Sequence, residues 1–128
     1  MAKGYGWGLG TFGYEMVARV RRLKDAAHAA SAQVIHVHSM RRPTDNLPEK
    51  SSMMAGTSGL EVIPELQPVD HDILIYKRSL SGFSHNDLDY TLRTMGVDTV
   101  LIAGASTDNT VLWTAADAHQ NRYKVVVV

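Results

Sequence analysis

The second half of the chain alternates between two kinds of apolar pattern, and this alternation constrains the fold more than any other feature. DILIYK (72–77), DTVLIAG (98–104) and YKVVVV (123–128) are short runs with few polar interruptions, the pattern of strands buried on both faces. Between them lie NDLDYTLRTMG (86–96) and DNTVLWTAADAHQN (108–121), whose apolar residues recur at helical spacing. In the first of these, Leu88, Leu92 and Met95 form the expected core stripe. Asn86 can cap its start, Asp87 and Asp89 suit its positive end, and Gly96 can terminate it. Strands this apolar, alternating with helices, predict a mainly parallel sheet covered by helices, a three-layer α/β/α domain of Rossmann type.

The first half is less regular. From Tyr14 to Ala30, the residues Val17, Val20, Leu23, Ala27 and Ala30 fall at steps of three and four, predicting a helix with a basic outer face of Arg19, Arg22 and Lys24. A strand follows over residues 33 to 38, in QVIHVHS. The polar segment from about 39 to 60 holds Pro43, Pro48 and Gly56, and its length predicts a functional loop or partner contact. LEVIPEL reads as a short turn interrupted by Pro64. Gly4, Gly6, Gly8 and Gly10 imitate a G-x-G spacing, but no strand precedes them, so a loop is expected there and not a dinucleotide site. The 128 residues fit a single domain, 1–128.

Composition removes several function classes. Thirteen Lys and Arg balance thirteen Asp and Glu, which argues against a broad nucleic-acid or membrane-binding surface. No apolar run approaches a membrane span, and the N-terminus lacks the apolar core of a secretory signal, so a cytoplasmic location is expected. The chain has no cysteine, which removes disulfides, thiolate metal sites and thiol catalysis together.

Four stretches then carry a likeness. VIHVHS (34–39), GTSGLEVIPEL (56–66), ILIYKRSLSGF (73–83) and IAGASTDNTVLWTAADAHQNRYKVVVV (102–128) occur in an order and at separations that resemble the isochorismatase-like hydrolases, also called cysteine hydrolases. The likeness runs from about Gly10 to Val128. It implies hydrolysis of C–N bonds in small amide or ureido compounds, no cofactor, and a homo-oligomer. The family uses an Asp, a Lys and a Cys. By resemblance the Lys corresponds to Lys77, and the Cys position, at the start of the helix after a G-x-[ST]-T turn, corresponds to Thr110. No segment like the strand that carries the family's Asp is found, so the chain is expected to begin after that first strand. With an apolar strand running to Val128, this predicts a domain incomplete at both ends.

The resemblance further implies a cis Ala105–Ser106 peptide bond, and an oxyanion hole made by the Thr110 amide and one near Ser106. Taken alone, the same stretch reads as an ordinary polar turn capped by Thr107 or Asp108. Lys77 is placed by the resemblance in a pocket at the carboxyl ends of the strands; alone, it could snorkel to water from the strand end. Gly82 and Phe83 would line the substrate side, with Phe83 equally readable as core. Trp113 reads as a core or subunit-contact anchor.

The chemistry decides what these substitutions mean. A thiol begins near pKa 8.5 and is readily lowered by a cation and a helix N-terminus, about two units being enough for neutral pH. A hydroxyl is a far weaker acid and needs a general base in contact with it. Negligible catalysis by this chain is therefore expected, and the alternative to a weak hydrolase is a silent relative that binds a small ligand or serves as a partner subunit. No metal site is expected. His36 and His38 share a strand face, but where nicotinamidases of the family place metal ligands this chain has SMRRP, with Ser39 and Arg41. His28, His71, His85 and His119 are scattered in sequence and suggest no cluster.

Overall fold

The computed structural model describes residues 10–45 and 53–128. The expected glycine-rich loop before Gly10 and the loop residue Pro48 lie outside the described residues. The chain has an α/β fold. Its elements in order are α1 (Gly10–Ala29), β1 (Ile35–Ser39), two short 3-10 turns (Ser58–Leu60 and Pro64–Leu66), β2 (Ile73–Lys77), α2 (Leu88–Thr94), β3 (Thr99–Ile102), a π-helical turn (Thr107–Val111), α3 (Leu112–Gln120) and β4 (Lys124–Val127). Among the described residues the strands pair in twos, β1 with β2 and β3 with β4, which agrees with the expected absence of the family's first strand from the sheet. Two compact units result, Met1–Tyr76 and Lys77–Val128.

In the first unit, Val62, Leu66 and Ile75 form the buried core, and α1 packs on the Pro64–Leu66 turn. Pro64 begins that turn, where its missing N–H costs nothing. The α1 stripe is turned inward as its spacing requires, Val17, Val20, Leu23 and Ala27 being half-buried, although Ala30 lies past the helix end and is exposed. Lys24 corrects the expected basic face. Its side chain is only 11% exposed, its ammonium lies 3.9 Å from Asp72, and it donates to the Gln67 carbonyl. A lysine's aliphatic stem can line apolar surface while its head reaches a carboxylate, so spacing alone misplaces it. The described part of the long polar segment is pinned by backbone pairing: the Arg41 amide donates to Met53 (3.0 Å) and the Ala55 amide to Arg41 (2.8 Å).

In the second unit β3 and β4 run parallel, with Thr99 opposite Lys124 and Ile102 opposite Val127. Leu88 and Leu92 are buried on α2 as expected. Met95 is not; it is the residue at which α2 ends and is left exposed. Gly96 takes φ +69°, its amide reaching Arg93 and the Val97 amide reaching Leu92, each at 3.0 Å, which satisfies the last helical carbonyls. At the other end, Asn86 Oδ1 accepts from the Leu88 amide at 3.0 Å.

Ala118 of α3 is fully buried, and Tyr123 packs its ring 5.8 Å from Phe83. The Tyr123 hydroxyl donates to Asp89 (2.8 Å), which also receives Arg93 at 2.9 Å. Arg93, and then Tyr123, hold the Asp89 carboxyl below its usual range. The outer strand faces depart from expectation: α3 packs against β4, yet Leu101 and Val126 are about half exposed. Trp113 is 51% exposed, which excludes the core reading of that residue. No described helix is long and apolar enough to cross a membrane.

Candidate active site

Lys77, Gly82, Phe83, Ala105, Ser106 and Thr110 all belong to the second unit. Strand β3 leaves through Gly104, whose φ of +152° is a conformation that side chains rarely adopt. The next peptide bond, Ala105–Ser106, is cis. The chain then enters a single π-helical turn, in which the Val111 amide reaches back to the Ser106 carbonyl at 3.2 Å. Such a turn inserts one residue into the helical repeat and is frequent at functional sites. Thr110 sits in this turn, one residue before Val111, which is buried.

The Thr110 hydroxyl donates to the Ala105 carbonyl at 2.9 Å. A carbonyl oxygen accepts this hydrogen bond without taking the proton. Among the described residues, neither a carboxylate nor an imidazole meets this hydroxyl.

Lys77, the last residue of β2, does not snorkel. It is buried, and its ammonium donates to the carbonyls of Ser79 (2.6 Å) and Leu80 (2.8 Å). It thereby folds the following loop around itself. Within that loop Ser81 is buried, and its Oγ accepts from the Phe83 amide at 3.1 Å. The Gly82 amide donates to Thr114 Oγ1 (2.9 Å), and the Thr114 hydroxyl donates in turn to the Thr110 carbonyl (2.6 Å). A continuous relay thus joins the Lys77 loop, α3 and the cis turn. Thr114 and Ser81 escaped the sequence reading. The available signal for Thr114 was its i+4 spacing from Thr110, which puts both on one helix face. Phe83 is half-buried, its ring against Tyr123, so it belongs to the core edge as well as to the loop.

Gly82 has a steric reason to be glycine. A Cβ there would lie 3.1 Å from Thr114 Cγ2 and 3.5 Å from Leu88 Cδ2. Thr114 is held by two hydrogen bonds and cannot easily yield. Gly82→Ala is therefore expected to destabilise the protein by about 1–2 kcal/mol in urea unfolding. Adding Thr114→Ser, which removes the clashing methyl and keeps the hydroxyl, should recover most of that loss. A Gly82→Ala protein as stable as wild type would show that this contact is loose.

At the far end of β1, Ser39 to Arg42 supply no carboxylate or imidazole. The histidines behave differently from their scattered sequence positions. His28 lies 2.7 Å from Asp72 Oδ1 and His36 lies 3.1 Å from Oδ2, with the Asp72 side chain fully buried. His28 and His71 stack edge to face, centroids 5.0 Å apart. His38 is buried with Nδ1 unpartnered, and burial pushes its pKa down to about 4.

Residues 9–128 match the model of the family described as the isochorismatase domain. An isochorismatase-like hydrolase from Alkaliphilus metalliredigens superposes with a TM-score of 0.84 at 31% identity, over 91% of this chain and 66% of that one. N-carbamoylsarcosine amidase from Thermoplasma acidophilum gives a TM-score of 0.81 at 33% identity, over 88% and 66%. The ureidoacrylate amidohydrolase RutB of Agrobacterium fabrum is 27% identical, in a match that covers 84% of this chain and 57% of the relative. The chain spans about half the length of the curated relatives it matches.

Proposed function

The chain belongs to the isochorismatase family, and from that premise we propose that it is a hydrolase scaffold for small amide or ureido compounds that binds such a ligand with little or no turnover. One observation carries this reading. The hydroxyl at the family's nucleophile position, Thr110, spends its proton on the Ala105 carbonyl, in a chain without a single cysteine. Attack on an amide carbonyl would require that proton to leave as the C–O bond forms. A backbone carbonyl is too weak a base to receive it, and the hydroxyl is too weak an acid to lose it unaided.

The binding half of the machinery is retained in this reading. The amides of Thr110 and of the Ser106 turn are the donors for a ligand carbonyl, at the point where the chain enters its helical turn. Lys77 acts on this site through the loop it organises, and Gly82 and Phe83 present that loop to the ligand. The C–N chemistry named for N-carbamoylsarcosine amidase and ureidoacrylate amidohydrolase supplies the ligand class.

The purified protein, assayed against N-carbamoyl, ureido and nicotinamide-type amides, is expected to release ammonia at the buffer rate while one class of ligand raises its unfolding midpoint. Turnover by the wild-type chain that disappears in Lys77→Ala would defeat the proposal. So would a covalent acyl adduct on Thr110 detected by mass spectrometry. Activity that appears only in Thr110→Cys would localise the deficit to that one oxygen.

A further inference from the structure

We propose that His28, His71 and Asp72 form a binding site for a divalent transition-metal ion of the zinc type, distinct from the Lys77–Thr110 region. One ring nitrogen of each histidine and a carboxylate oxygen of Asp72 lie within 4.8 Å of one another. Ligands of a tetrahedral zinc ion, bonded at about 2.0–2.1 Å, stand roughly 3.3 Å apart, so closure around an ion needs movements on the order of an ångström. His71 is exposed, which supplies an entry path from solvent, and its ring rests edge-on against that of His28.

The support around these groups is that of a metal site. The Asp72 side chain is fully buried and points Oδ1 at His28, at 2.7 Å, so that both would face an ion seated beside them. Its other oxygen is held by the His36 ring (3.1 Å) and the Val69 amide (3.1 Å), which orient the carboxylate as outer partners orient metal ligands. The His71 backbone is anchored by Gln33 Nε2, which donates to its carbonyl at 2.7 Å. Lys24, 3.9 Å from Oδ2, competes for the carboxylate and limits the affinity.

Asp72 immediately precedes β2 and Lys77 ends it, so the two places are separated by five residues of strand, roughly 16 Å. Ligands come from the C-terminal turn of α1 and from the turn before β2. An ion there would staple these two segments, and by mass action it would stabilise the fold.

The test starts from protein stripped with EDTA and desalted. Zn2+ titrated in competition with a chromophoric chelator is expected to fill one site per chain. A hundredfold excess over the dissociation constant should raise the unfolding midpoint by on the order of 5–10 °C. His71→Ala, which removes one proposed ligand at an exposed position, should weaken binding more than about tenfold and abolish the thermal shift. His119→Ala, on α3, should change neither. Co2+ should give visible absorption in wild type that is lost in His71→Ala. Absence of saturable binding would overturn the proposal. So would binding of equal strength in His71→Ala, which would place the ion elsewhere.

Discussion

Asp72→Ala is expected to remove about 3–5 kcal/mol of stability, a large part of the roughly 5–15 kcal/mol that holds a domain of this size together. The reason is asymmetry. Intact, the buried carboxylate is matched by His28, His36, the Val69 amide and the Lys24 ammonium. Without it, Lys24 and His36, whose side chains are 11% and 8% exposed, keep their desolvation cost; His36 loses its carboxylate and Lys24 is left with the Gln67 carbonyl alone. Asp72→Asn preserves the shape and one accepting oxygen, so its loss should be distinctly smaller. Lys24→Met in the Asp72→Ala background should return part of the loss by removing a buried cation left without a counter-charge, and the double-mutant cycle gives the coupling directly. Urea unfolding in EDTA is the measurement. A loss below 1 kcal/mol for Asp72→Ala would mean that water enters the cluster and the carboxylate is not a structural keystone.

That cluster also marks where sequence reasoning stops. Helix and strand periods are local, so α1, β2, α2, β3, α3 and β4 were all legible, as were the Asn86 cap and the Gly96 stop. The turn from Gly104 to Thr110 was legible through its likeness to a family motif, since nothing in GASTDNT by itself specifies a π-helical turn or a cis peptide. Contacts between distant residues left no trace. His28 and Asp72 are 44 positions apart and belong to segments whose own patterns are complete without each other. Lys24 was assigned to the outer face because charge usually marks solvent, and only its partner 48 positions later (72 minus 24) reverses that assignment. The outward faces of β3 and β4 failed for a related reason. A continuous apolar run reports that a strand can be covered on both sides, not that this chain supplies both covers.

Stability is expected to fall as the pH drops from about 6.5 towards 4, the loss beginning above the range in which carboxylates titrate. His38 carries this effect. Burial holds its folded-state pKa at about 4, against 6.5 for a free imidazole, with the neighbouring His36 pushing in the same direction. Below pH 6.5 the unfolded chain takes up a proton that the folded chain refuses, so the equilibrium moves towards unfolding. The folded state keeps its full margin above pH 6.5 and has lost on the order of 3 kcal/mol by pH 4. His36, also lowered because burial outweighs its Asp72 partner, adds a loss of the same sign. Asp72 adds its own only at lower pH, as its depressed carboxyl finally protonates. The measurement is the urea midpoint from pH 8 to pH 4 with EDTA present, so that metal release cannot contribute. His38→Gln should flatten the curve between pH 6.5 and 4, whatever its effect at pH 8, because an amide has no proton to take up there. An equally steep curve in His38→Gln would assign the acid sensitivity to other groups, and would mean that the His38 imidazole can ionise where it sits.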